Sequence, residues 1–175
     1  DQPRHALIRA VVLAPNGLEM ARRETPLTLP AWSEDAVEQD LAWDAAPLWS
    51  PSDPRLHRLV VEVEADGRVT DRTETPFGVR SAVFDPQRGF LLNGQPLKLL
   101  GACCHQDHAG VGAAIPDRLQ AWRVEQLKAM GCNAYRASHN PATPELMDAC
   151  DRLGMLVIAE TRRMSSDEES MAELA

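Results

Sequence analysis

Residues 133–160 read NAYRASHNPATPELMDACDRLGMLVIAE, and their order decides the fold. Asn133 to Ser138 is a strand that runs out at His139. Thr143-Pro144 then gives a cap residue followed by proline at the first helical position. Leu146, Met147, Cys150 and Leu153 recur at helical spacing, and Gly154 closes the helix. Met155 to Ala159 is an apolar strand that ends at Glu160. Working back toward the N-terminus, Leu97 to Cys104 is a strand ending at His105. Asp117 opens a helix expected to bury Leu119, Trp122, Leu127 and Met130 on one face, with Gly131 closing it. Strand, helix, strand, helix, strand is the repeat of a parallel sheet. All three strands end on a chemically capable side chain: His105, His139 and Glu160. In parallel α/β folds the carboxyl ends of strands are where ligands are met.

Residues before this repeat read as β structure. Ala6 to Leu13 is a strand followed by the turn signal Pro15-Asn16-Gly17. Leu56 to Glu64 alternates, with Leu59, Val61 and Val63 on one face and Glu62 and Glu64 on the other. Asp66-Gly67 turns it into Arg68 to Thr75, and Asn93-Gly94 predicts a second hairpin within Phe90 to Leu100. Pro47-Leu48-Trp49-Ser50-Pro51-Ser52-Asp53-Pro54 is too proline-rich for a central strand. It is expected to be a rigid connector with Trp49 plugging a sandwich. The division expected is residues 1–84 as β-sandwich and 85–175 as α/β.

The 175 residues are 44% apolar and 25% charged, the balance of a globular protein with a core. A net charge of −8 without a Lys/Arg cluster argues against nucleic acid or an anionic membrane as partner. No apolar run reaches the roughly 20 residues that span a bilayer. Asp1 is not a start methionine and no leader pattern follows it, so the compartment is not legible. Ser166 with Glu169 three residues on is a capping box, and Asp167-Glu168-Glu169 suits a helix N-terminus. A chain stopping just after opening a helix is expected to be part of something longer.

The densest chemical cluster is Gly101-Ala102-Cys103-Cys104-His105-Gln106-Asp107-His108. A metal site is one reading, but adjacent cysteines on a strand point to opposite faces, and Cys132 and Cys150 stand alone. The four cysteines are expected to be small buried residues. A Cys/His nucleophilic pair has no local motif behind it. Two readings remain: His105, Asp107 and His139 bind a polar substrate through directional hydrogen bonds, or the histidines are satisfied structural residues at a barrel rim. Alternation puts Tyr135, Ala137 and His139 on one face and Arg136 and Ser138 on the other. An inward Arg136 must meet a carboxylate, and Glu160 is the candidate.

The ordered motifs Phe77-Gly78-Val79-Arg80, Gly89-Phe90-Leu91-Leu92-Asn93-Gly94-Gln95-Pro96, His105-Gln106-Asp107-His108, Asn133-Ala134-Tyr135-Arg136-Ala137-Ser138-His139-Asn140-Pro141 and Cys150 to Glu160 together resemble glycoside hydrolase family 2, its β-galactosidase-type members above all. The resemblance covers nearly the whole chain. It implies an immunoglobulin-like β-sandwich followed by the first three βα units of an incomplete (β/α)8 TIM barrel. It implies a retaining β-glycosidase with two catalytic glutamates, both on strands beyond residue 175, so the chain alone is expected to be inactive. By the same resemblance His105, Asp107, His139 and Asn140 would contact the sugar, with Arg136 and Glu160 in support. The expected partner is a β-galactoside; a β-glucuronide, a β-mannoside or a non-catalytic sugar-binding module are the alternatives. Thr161-Arg162-Arg163-Met164 lacks the carboxylate and histidine that hold magnesium in some relatives, so no metal or cofactor is implied. Three barrel strands expose an edge, and self-association through it is expected.

Overall fold

The computed structural model describes residues 2–160. The expected helix near Ser166 and the stretch 161–164 lie outside these. The chain divides into two compact units, Asp1–Trp49 with Arg55–Val79, and Ser50–Pro54 with Arg80–Ala175.

The first unit is a four-stranded antiparallel sheet built from β1 (Arg4–Leu13), β2 (Glu19–Leu29), β3 (His57–Ala65) and β4 (Arg68–Phe77), in the order β2-β1-β3-β4. The hairpin at Asp66-Gly67 forms as the sequence requires, both residues taking positive φ, 52° and 72°. Proline lacks the N–H a central strand must donate. Pro26 and Pro76 accordingly fall on the two outer strands, β2 and β4. One face carries the charges. Arg9 on β1 reaches Glu24 at 2.7 Å, Glu62 at 3.1 Å and Glu64 at 3.3 Å, so three strands meet on one guanidinium. Trp49 is fully buried, its N–H bonded to the Val79 carbonyl at 2.8 Å.

His57 is equally buried, 5.6 Å from the ring of Phe77, and neither ring nitrogen has a hydrogen-bond partner among the described residues. Burial lowers its pKa from the usual 6.5. The unfolded chain therefore binds a proton that the folded one resists. Stability is expected to be full above pH 6.5 and to be lost as pH falls below it, at up to about 1.4 kcal/mol per pH unit. His57→Phe removes both the proton and the unpaired nitrogens. It should raise the melting temperature at pH 7 and flatten the fall between pH 6.5 and 5. Urea melts across that range check this; an unchanged slope in the variant would refute it.

The second unit opens with β5 (Ala82–Asp85), β6 (Gly89–Leu92) and β7 (Gln95–Pro96), a small antiparallel sheet. The Asn93-Gly94 turn lies where expected, with φ of 53° and 75°. Then follow β8 (Gly101–His105), α1 (Asp117–Ala129), β9 (Ala134–Ser138), α2 (Pro144–Leu153) and β10 (Leu156–Ile158). The last three strands form a parallel sheet in the order β10-β9-β8, in register Gly101↔Ala134↔Leu156. Thr143 caps α2 through its hydroxyl, which accepts from the Leu146 N–H at 3.4 Å, and Gly154 ends the helix at φ 76°. Lys128 near the end of α1 donates to the carbonyls of Pro51 (2.8 Å) and Gly154 (3.0 Å), tying that proline-rich stretch to the helices.

The core lies between sheet and helices: Val124, Tyr135, Ala137, Leu146, Ala149, Cys150 and Met155. Burial pushes the Cys150 thiol up to about 12. The face expected for α1 is corrected in part. Leu127 packs against the core as expected and Leu119 is half-buried. Gln120 and Val124 are the buried positions, however, whereas Trp122 and Met130 are exposed, 41% and 76%. Counting apolar residues mistook the stripe, because the helix buries an amide at the position where an apolar residue would ordinarily mark the inward side. The cysteine expectation is corrected in part. Cys104 packs toward the helices, but Cys103, one residue earlier and so on the opposite face, is exposed.

Candidate functional site

The parallel register brings the three strand ends together. His105 closes β8 opposite Ser138, the last residue of β9, and His139 follows it; Glu160 comes two residues after β10. The rings of His105 and His139 stand edge to face with centroids 5.3 Å apart. His139 Nδ1 lies 2.8 Å from Glu160 Oε2, and Arg136 forms an ion pair with the other carboxylate oxygen. Arg136 also donates to the Cys103 sulfur at 3.1 Å.

One carboxylate thus serves two cationic or donor groups, one oxygen each. The hydrogen bond from His139, and then the charge of Arg136, hold Glu160 below the usual carboxylate range. An ionised carboxylate only accepts, so Nδ1 of His139 must carry the proton. The Arg136 and Ser138 contacts hold the Cys103 thiol below its ordinary value. Behind the cluster, Arg123 on α1 donates to the carbonyl of His105 at 2.6 Å, fixing the end of β8.

Alternation along the strand predicts His139 on the Tyr135 face. The structure places it with Arg136 instead, because regular pairing stops at Ser138 and the period of two does not extend past the ladder. The Ser138–His139 peptide is cis. Of the other expected residues, Asp107 is exposed and makes no hydrogen bond or ion pair among the described residues. Asn140 lines a neighbouring cavity with Gln106 and Arg123, one whose wall does not include the two histidines. Among the described residues no group of three or more His, Cys, Asp or Glu could hold a metal ion. Sequence reasoning missed Cys103 and Arg123. The first was reachable, since aligning the two histidine-terminated strands sets Cys103 beside Arg136.

Residues 84–173 match the family described as glycosyl hydrolases family 2, TIM barrel domain, and residues 4–80 match glycosyl hydrolases family 2. The chain belongs to glycosyl hydrolase family 2. Its sheet of β1 to β4 is part of the immunoglobulin-like domain, and β8 to β10 are part of the family's TIM barrel. The chain is 39% identical over 144 residues to a β-galactosidase of Bacteroides ovatus, covering 82% of this chain and 17% of that protein. It is 39% identical over 113 residues to a putative β-glucuronidase of Formosa agariphila, 65% of this chain and 11% of that one. A solved family 2 member from Bacteroides cellulosilyticus superposes with a TM-score of 0.84 at 38% identity, over 90% of this chain and 22% of that one. The chain therefore spans about a fifth or less of the length of these family 2 relatives.

Proposed function

We propose that the chain supplies one wall of the sugar pocket of a retaining β-glycosidase acting on terminal β-galactosides. The observation that carries the reading is the convergence of His105, His139 and Glu160 at the carboxyl ends of adjacent parallel strands. Two imidazoles 5.3 Å apart, one held by a carboxylate, can meet neighbouring hydroxyls of one sugar ring. Retaining hydrolysis needs a pair of carboxyl groups about 5–5.5 Å apart. The family resemblance puts both beyond residue 175, with Glu160 neither of them.

A β-glucuronide is the second reading, supported by relatives of that name at equal identity. Against it, the guanidinium of this cluster, Arg136, is already neutralised by Glu160 and is not free for a uronate carboxylate. Comparing nitrophenyl β-galactoside with β-glucuronide turnover by the full-length protein decides between them.

For the chain alone, no turnover of a nitrophenyl β-galactoside above a mock preparation is expected. Galactose should quench tryptophan fluorescence saturably, and His139→Ala should weaken that binding about tenfold. Turnover by the pure chain, or binding indifferent to His139→Ala, would overturn the reading. β10 is an outer strand of the parallel sheet, and its exposed Ile158 supports self-association of the chain through that barrel edge. Light scattering showing a clean monomer at high concentration would refute that.

A further inference from the structure

A cavity of about 440 Å3 opens between β9, α1 and the start of α2, on the helix side of the sheet. Pockets of roughly 300–1,000 Å3 are the size that takes small ligands. Polar groups of Gln106, Gln120, Arg123, Asn140 and Thr143 surround an apolar floor that includes Leu146. Gln120 is 7% exposed, yet its side-chain oxygen has no hydrogen-bond partner among the described residues. A buried acceptor left empty in this way calls for a donor. Arg123 spends one N–H on the His105 carbonyl, out of the five a guanidinium carries. Among the described residues no carboxylate lines the cavity to neutralise it.

We propose that this cavity binds a small hydroxylated carboxylate of the sugar-acid type. Its carboxylate pairs with the planar fork of Arg123, and a hydroxyl donates to the Gln120 oxygen. Two features select this chemistry. The fork geometry matches an oxyanion such as a carboxylate, and the single formal charge among the described lining residues balances one negative charge but not the two of a phosphate dianion. The empty acceptor calls for a ligand that also carries a hydrogen-bond donor, which a hydroxyl supplies and a plain carboxylate lacks. The cavity is separate from the histidine cluster, so the inference does not rest on the sugar reading given above.

Calorimetric titration of gluconate into the 175-residue chain tests it, with glucose and inorganic phosphate as parallel titrants. Gluconate should bind saturably, one per chain, and at least tenfold more tightly than either of the others. A large excess of galactose should leave its affinity unchanged, which separates this cavity from the histidine site. Arg123→Gln should weaken gluconate at least tenfold. Because Arg123 also anchors the end of β8, Gln120→Leu provides an independent variant, expected to lose at least fivefold with its melting temperature preserved. Gluconate binding no tighter than glucose, phosphate binding as tightly as gluconate, displacement by galactose, or full affinity in Gln120→Leu would each overturn the proposal.

Discussion

Gly101→Ala is expected to unfold the parallel sheet. A Cβ at this position would lie 2.0 Å from the carbonyl oxygen of Ala134 and 2.7 Å from its carbon. Those atoms belong to the backbone of the neighbouring strand, paired with Gly101 itself, so nothing can swing aside. Either β8 moves away from β9 or the register slips, and a slip of one residue turns every side chain to the other face. His105 and His139 would then no longer meet. The cost belongs with the exceptional substitutions, above about 4 kcal/mol. Amide hydrogen exchange checks it: protection should vanish at Gly101–His105 and Ala134–Ser138. Wild-type protection in those strands would show that the close approach is not obligatory.

Trp49→Ala should have the next largest effect, and in the other unit. The indole is fully buried, and it packs so closely on Gly78 that a Cβ there would come within 2.9 Å of Trp49 Cβ and Cγ. Removing the side chain loses its transfer free energy and leaves a void bounded by a residue with no side chain to fill it. Aromatic-to-alanine changes of this kind cost about 3–5 kcal/mol. For a unit of this size each kcal/mol moves the melting temperature by about 4–8 °C, so a fall of at least about 12 °C is expected by calorimetry. Gly78→Ala should destabilise too, because the colliding atoms are at the rigid base of the indole and not at a flexible tip. A shift under 5 °C for Trp49→Ala would mean that Trp49 does not anchor the sheet.

Much of this architecture was legible from residue order. Asp66-Gly67 and Asn93-Gly94 announced their turns because both positions need left-handed backbone, which few other pairs supply. Thr143, Pro144 and Gly154 marked both ends of α2, since caps act locally and leave local signatures. The three strand ends were equally plain. The inward face of α1 was not, because Gln120 is buried by its neighbours and not by its own polarity. The side on which His139 lies was also hidden. Alternation is a property of a paired strand, and His139 is the first residue beyond the pairing. Arg123 reaching the His105 carbonyl depends on a contact across 18 residues of sequence that no spacing rule describes.

The shared carboxylate of Glu160 has a directional consequence. With its Nδ1 proton committed to Glu160, the imidazole of His139 keeps one polar atom, Nε2, and in the neutral ring that atom can only receive a proton. Any hydroxyl that docks there must present its hydrogen inward and turn its lone pairs toward something else. On the proposed sugar reading, a neutral His139 would sort ligands by the sense of the hydrogen bond they can make, refusing an ether or keto oxygen at that locus where an alcohol is accepted.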